Sequence, residues 1–216
     1  MLQLIGMLDS PYVRRTAISL ASMGVEFEHK PPSVFNNFVE FQQINPAVKA
    51  PTLVLDDGDI LMDSNVIIQY AESLVPTECH LLPTAAKEVQ PLLQIVSLAL
   101  AACEKAVQLF YEKNLRPVEK QHQPWVERVT SQMQAACLLL EKRWYAHPIA
   151  VGSQPLNQAQ ITSAVVWQFI QSVLADVVPP EQFPHLQKLS QFAESSPVFL
   201  AFPPVGPGTG SGVSAA

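Results

Sequence analysis

Long hydrophobic runs are missing from this sequence. No stretch reaches about 18 uninterrupted apolar residues, the length a membrane-crossing helix needs. The longest apolar stretches, such as Val96–Val107, are broken, here by Ser97, Glu104 and Lys105. A membrane span is therefore not expected. The opening Met1-Leu2-Gln3-Leu4 lacks the basic residues and long apolar segment of a secretory leader, so a cytoplasmic protein is expected. Cysteine is scarce: Cys79, Cys103 and Cys137 form neither a CxxC pair nor a metal-ligand spacing, and their odd number suits reduced thiols. The plain reading of each is a small apolar side chain in a helix. There is no HExxH, no GxGxxG and no phosphate-binding GxxxxGK[ST] loop, so zinc hydrolases and nucleotide enzymes have no motif here. Positive charge is short as well. Residues 1–80 hold four Lys/Arg against ten Asp/Glu, and the remainder holds nine of each. An acidic first third repels a phosphate backbone, and nucleic-acid binding is not expected.

What is present falls into two textures. Up to about Ser73, short apolar runs alternate with helical patterns. Leu2–Leu8 and Val25–His29 read as strands, with a helix over Pro11–Met23 between them and a short helix over Phe35–Gln43 after them. Thr52–Leu55 and Ile60–Met62 flank Asp56-Asp57-Gly58-Asp59, a hairpin turn signal. Ser64–Leu74 then places Val66, Ile67, Tyr70, Ala71 and Leu74 on one helical face. The order β-α-β-α-β-β-α implies a mixed sheet covered by helices. After Pro76 and Pro83 only helical spacing remains, over Lys87–Lys113, Gln123–Tyr145, Asn157–Asp176 and Glu181–Ser195. Asn157 and Gln160 have the spacing of a capping box. Pro203–Ala216 is rich in Pro, Gly and Ser and is expected to be a flexible tail. The expected class is thus α/β plus all-α: a first domain over residues 1–78, an all-helical domain over 86–202 and a tail over 203–216.

Three ordered motifs resemble the glutathione transferase superfamily. Asp9-Ser10-Pro11-Tyr12-Val13-Arg14-Arg15 is similar to its S-P-[FY]-x-x-[RK] turn after strand one. Asn45-Pro46-Ala47-Val48-Lys49-Ala50-Pro51-Thr52-Leu53, continuing to Asp57-Gly58 and Asp63-Ser64, resembles its N-P-x-G-x-V-P-x-L … D-G … [ED]-S pattern. Phe183-Pro184-His185-Leu186 and Ser196-Pro197-Val198-Phe199 resemble its C-terminal P-x-L … P-x-[FV] ending. Val48 departs from the usual Gly, Ala50 from the usual Val, and Gln160 from the usual Asp. The resemblance implies a thioredoxin-like N-terminal domain that binds glutathione, followed by a helical bundle, in a homodimer. It also implies glutathione transfer to a small apolar electrophile, with no metal.

The chemistry sets what such a site needs. A free thiol with a pKa of about 8.5 is mostly protonated at neutral pH, yet the thiolate is the nucleophile. Lowering that pKa by about two units takes ~2.7 kcal/mol. One hydrogen bond to the anion, ~1.5–3 kcal/mol, and a helix N-terminus, ~0.3–1 kcal/mol, suffice. Ser10, at a strand-to-helix turn, is the candidate catalytic donor; as an N-cap before Pro11 it equally reads as a plain helix start. The resemblance gives Ala50-Pro51 a cis bond and leaves the Ala50 backbone to pair with the cysteinyl part of glutathione. Ser64, opening a helix, suits the γ-glutamyl carboxylate, and Asp63 suits the ammonium. Lys49 is a candidate for the glycyl carboxylate or else a surface lysine. The glutathione-binding set is therefore Lys49, Ala50, Pro51, Asp63 and Ser64. Residues around Leu100, Cys103, Lys105, Val107, Phe110 and Tyr111 are candidates for the electrophile's pocket or for core packing, and Trp125, Trp144 and Trp167 for core or interface anchors. A glutathione-binding scaffold without transfer is the second reading. A glutathione-dependent isomerase or peroxidase is a third: the absence of the S-S-C signature of the zeta class weakens the isomerase, and the lack of a cysteine near Ser10 weakens peroxide chemistry.

Overall fold

The structure, a computed structural model, describes residues 1–146 and 155–206. Within the first unit the order is β1 (Leu2–Ile5), α1 (Pro11–Ser22), β2 (Phe27–Lys30), α2 (Phe38–Ile44), β3 (Thr52–Val54), β4 (Ile60–Met62) and α3 (Ser64–Glu72). The strands form one sheet in the order β2-β1-β3-β4. β1 runs parallel to β2, pairing Leu4 with His29, and antiparallel to β3, pairing Leu4 with Leu53. The β3–β4 hairpin closes through Leu55 N–H to Asp59 O and Gly58 N–H to Leu55 O, as the Asp-Gly signal requires. A right-handed helix is the ordinary way to join two parallel strands, and α1 supplies it.

Leu4, Ile5, Val13, Ala17, Ile18, Leu20, Leu53, Ile67 and Ala71 make the core of this unit. The sequence reading of α3 needs correction: Val66 and Leu74 are 46% and 48% exposed, and Ser64, Ile67, Ile68 and Ala71 face inward. Tyr70 and Val66 lie on flanks of a helix whose buried stripe is set by where α1 packs, which spacing alone does not reveal.

The second compact unit, Pro83–Glu194, holds α4 (Ala86–Leu115), α5 (Gln123–Ala146), α6 (Gln158–Val173) and α7 (Pro184–Glu194). The helix expected over 181–195 is divided, because Pro184 lacks an N–H and starts α7 after a short turn at Pro180–Gln182. Glu141 caps α7, accepting from the His185 and Leu186 N–H groups at 2.9 Å each and from His185 Nδ1 at 2.7 Å. The capping box closes as read: Asn157 Oδ1 accepts from Gln160 N–H at 3.0 Å and Gln160 Oε1 from Asn157 N–H at 2.9 Å. Trp144 and Trp167 are buried, donating to Ser163 and Gln187, whereas Trp125 is exposed. Cys103 lies in the helical core, and Phe110 packs edge-on against Phe169. α4 is long and apolar enough to cross a membrane by length and composition, but its inner face (Ala99, Ala102, Cys103, Ala106, Leu109) packs on α5 and α6.

The chain's last described segment belongs with the first unit. That unit comprises Met1–Leu82 and the described part of Ser195–Ala216, so α8 (Pro197–Ala201) groups with the sheet rather than with residues 86–194. Arg14, 1% exposed, explains why: its Nε donates to Phe202 O at 2.8 Å and its guanidinium lies over the Phe199 ring. Phe202 stacks on Phe27 of β2. Of the expected flexible tail, residues 207–216 lie outside the described residues. Gly206 lies so close to Asp9 that a Cβ there would collide with the Asp9 side chain.

Candidate functional site

The candidate residues sit on three segments of the first unit, and each segment is shaped by its own sequence. The first is the turn between β1 and α1. Gly6 has φ +135°, a backbone region open chiefly to glycine, and an added Cβ would lie 2.7 Å from Val13 Cγ2 and 3.1 Å from Ala50 Cβ. Its amide donates to Lys30 O at 2.9 Å and its carbonyl accepts from His29 Nε2 at 2.8 Å, so this glycine is held on both sides. Ser10 is the N-cap of α1, with Pro11 at the first helical position. Its Oγ accepts a long 3.4 Å bond from Val13 N–H, which leaves the hydroxyl hydrogen to donate outward.

The second segment is the loop from Asn45 to Thr52, which contains the cis Ala50-Pro51 bond. Asn45 is buried and braces it: Nδ2 donates to Thr52 Oγ1 at 2.8 Å and Oδ1 accepts from Ala47 N–H at 3.0 Å. Thr52 Oγ1 in turn donates to Lys49 O at 2.7 Å. Val48 adopts φ +47°, the left-handed conformation that the family's usual glycine would take without cost. These braces were not singled out by sequence reasoning. Asn45-Pro46 marked the turn, but nothing local says that the Asn side chain points inward.

The third is the start of α3. Asp63, at φ +74°, is the N-cap, and its Oδ1 accepts from Asn65 N–H at 2.9 Å. Its Oδ2 meets Lys49 Nζ at 3.3 Å, an exposed pair of the kind worth little on its own. Burial pushes the Asp63 carboxyl up, but the Asn65 N–H, the Lys49 ammonium and the Arg15 charge together hold it below its ordinary value. Ser64 follows, 3% exposed. Arg15, 2% exposed, reaches it from α1: Nη1 donates to Ser64 Oγ at 2.8 Å and to Asn65 Oδ1 at 2.9 Å. Arg15 had no role in the sequence reading, since a contact spanning 49 residues leaves no local signal.

Two of the links between these segments run through candidate residues: Lys49 with Asp63, and Ser64 with Arg15 of α1. The turn before α1 lies beside the loop, since a Cβ at Gly6 would stand 3.1 Å from Ala50 Cβ; the loop touches α3 through Lys49 and Asp63; α3 meets α1 through Ser64 and Arg15. α1 and α3 each begin in one of these segments, and a helix N-terminus suits anionic groups. No group of three or more His, Cys, Asp or Glu that could hold a metal is found among the described residues.

Comparison with known proteins bears on the fold. Residues 4–78 match the family described as "Glutathione S-transferase, N-terminal domain". An uncharacterised GST-like protein of Escherichia coli K12, YibF, is 35% identical over 71 residues, 33% of this chain and 35% of that protein. The chain thus spans about a third of the length of the curated relatives it matches. A glutathione transferase family member from Pseudomonas fluorescens, solved with bound glutathione, superposes with a TM-score of 0.82 at 25% identity, over 95% of this chain and 100% of that one. A glutathione S-transferase from Methylobacillus flagellatus, also with glutathione bound, gives 0.84 at 20% identity over 95% and 100%. The fold of this chain is therefore the glutathione transferase fold: a thioredoxin-like unit with a four-stranded mixed sheet, followed by a helical unit.

Proposed function

We propose that on this fold the chain binds glutathione in its first unit and transfers the thiolate to a small apolar electrophile. The observation that supports the reading is that the turn before α1 lies beside Ala50, while Lys49 of the same loop pairs with Asp63 at the start of α3. In this reading the Ser10 hydroxyl donates to the glutathione sulfur, aided by the N-terminus of α1. The backbone of Ala50, beside the Ser10 turn, pairs with the cysteinyl part. Ser64 and the start of α3 take the γ-glutamyl carboxylate. Asp63 takes the γ-glutamyl ammonium, which displaces Lys49; the freed lysine can then reach the glycyl carboxylate. A homodimer and a cytoplasmic setting belong to the same proposal. The first rests on the family resemblance, the second on cysteines that are all unbridged.

The test is direct. Titration calorimetry should detect glutathione uptake by the full chain, and ultraviolet difference absorbance should show a thiolate band at neutral pH. Ser10→Ala should abolish that band and reduce turnover of a model electrophile about 10- to 100-fold, with glutathione affinity changed less than about threefold. Binding without a thiolate band would favour the scaffold reading. No binding by folded protein would remove both.

A further inference from the structure

We propose that Arg15 is a positioning residue that turns Ser64 and Asn65, at the start of α3, donor side outward, selecting the free carboxylate of the γ-glutamyl group. The inference rests on the glutathione reading above and deepens it. A guanidinium has N–H donors and no acceptor. Whatever Arg15 meets must therefore offer a lone pair. It meets Ser64 Oγ at 2.8 Å and Asn65 Oδ1 at 2.9 Å, both through Nη1.

The consequence for each partner is polar orientation. Ser64 Oγ spends a lone pair on Arg15, so its hydroxyl hydrogen cannot point at the guanidinium and is aimed away from it. The Asn65 amide is fixed with its oxygen inward, because an amide N–H₂ facing Arg15 would set donor against donor. Its Nδ2 hydrogens then face away, on a residue that is itself exposed. Asp63 Oδ1 already holds the Asn65 backbone N–H. What Ser64 and Asn65 offer a ligand is donor hydrogens, with the partial positive charge of the helix end behind them. A carboxylate, which only accepts, satisfies such a surface; an amide or ester brings fewer lone pairs, less charge or a competing donor.

Geometry argues against a purely mechanical clamp between α1 and α3. That clamp would be served equally by an apolar side chain, since α1 and α3 already pack on each other and bury Ala17, Ile67 and Ala71. A buried arginine is costly to desolvate, and here its guanidinium donates to Ser64 Oγ and Asn65 Oδ1, which fixes the direction of their own donors.

The experiment measures affinity of the full chain for two ligands: glutathione, and glutathione whose γ-glutamyl α-carboxylate is capped as an amide. Melting curves confirm folding of Arg15→Lys, Arg15→Gln and Arg15→Met. Arg15→Met should weaken glutathione binding by about 10- to 100-fold but the amide by less than about threefold, so discrimination between the two collapses. Arg15→Gln, whose Oε1 can turn the Ser64 hydroxyl inward, should lose discrimination too. Arg15→Lys, again donor-only, should recover most of it. Should the methionine variant fail to fold, the glutamine–lysine pair decides alone. Equal weakening of both ligands, or undiminished discrimination in a folded variant, would overturn the assignment. Absence of glutathione binding by the unaltered protein is a separate result that removes the underlying reading.

Discussion

Replacing Gly6 by Ala probes how tightly the candidate site is assembled, because this one position touches two of its segments. The structure sets three contributions. An alanine forced to φ +135° carries strain of about 1–3 kcal/mol. Its Cβ, 2.7 Å from Val13 Cγ2 and 3.1 Å from Ala50 Cβ, adds about 1–3 kcal/mol of overpacking. Lower unfolded-state entropy returns about 0.4–1 kcal/mol. The backbone cannot swing away easily, since both its amide and its carbonyl are hydrogen-bonded to β2. The net expectation is a loss of about 2–4 kcal/mol, or roughly 5–15 °C in melting temperature for a chain of this size. Circular-dichroism melts would measure it. Val13→Ala in the Gly6→Ala background removes the closest atom, so the pair should couple favourably by about 1 kcal/mol or more. Because Val13 N–H also bonds Ser10 Oγ, the single variant should weaken glutathione binding as well. A Gly6→Ala loss below about 0.5 kcal/mol, or no coupling with position 13, would refute the close-approach argument.

Other expectations follow from individual groups. The Asp63 carboxyl is held below its ordinary value, so its contribution to stability is present above the unfolded pKa of about 3.9 and is lost as pH falls through the lower folded value. The stability difference between the native chain and Asp63→Asn should therefore shrink between about pH 5 and pH 3; a constant difference would contradict the assignment. Burial pushes the Cys137 thiol up to about 12, and Cys103 is also buried while Cys79 is exposed. A chromogenic disulfide reagent should thus label one thiol in the folded chain and three in denaturant. Rapid labelling of more than one before unfolding would show that the helical core opens readily.

Local signals carried the sequence a long way. Asp57-Gly58 between apolar runs fixed the hairpin, Ser10-Pro11 the start of α1, and Asn157 with Gln160 the start of α6, because each of these is settled by groups within four residues. The order of the elements followed from periodicity. The division at Pro184 was missed although proline's absent N–H announces it, since the apolar spacing runs on across it. Val66 and Leu74 were placed inward because a helical stripe has two edges, and only the position of α1 chooses between them.

By itself, then, the sequence determined the kinds of element, their order, their caps and the candidate residues. Local backbone chemistry and hydrophobic spacing act over a few positions and can be read there. Tertiary structure alone decided which candidates meet. Val48 holds a left-handed turn that its β-branched side chain would not choose, Asn45 braces a loop from beneath, and Arg14 docks the returning segment at Phe199 and Phe202. Arg15 reaches Ser64 across 49 positions. Such contacts are set by how the sheet brings distant segments together, and burial of an arginine repays its desolvation only where those partners are already in place.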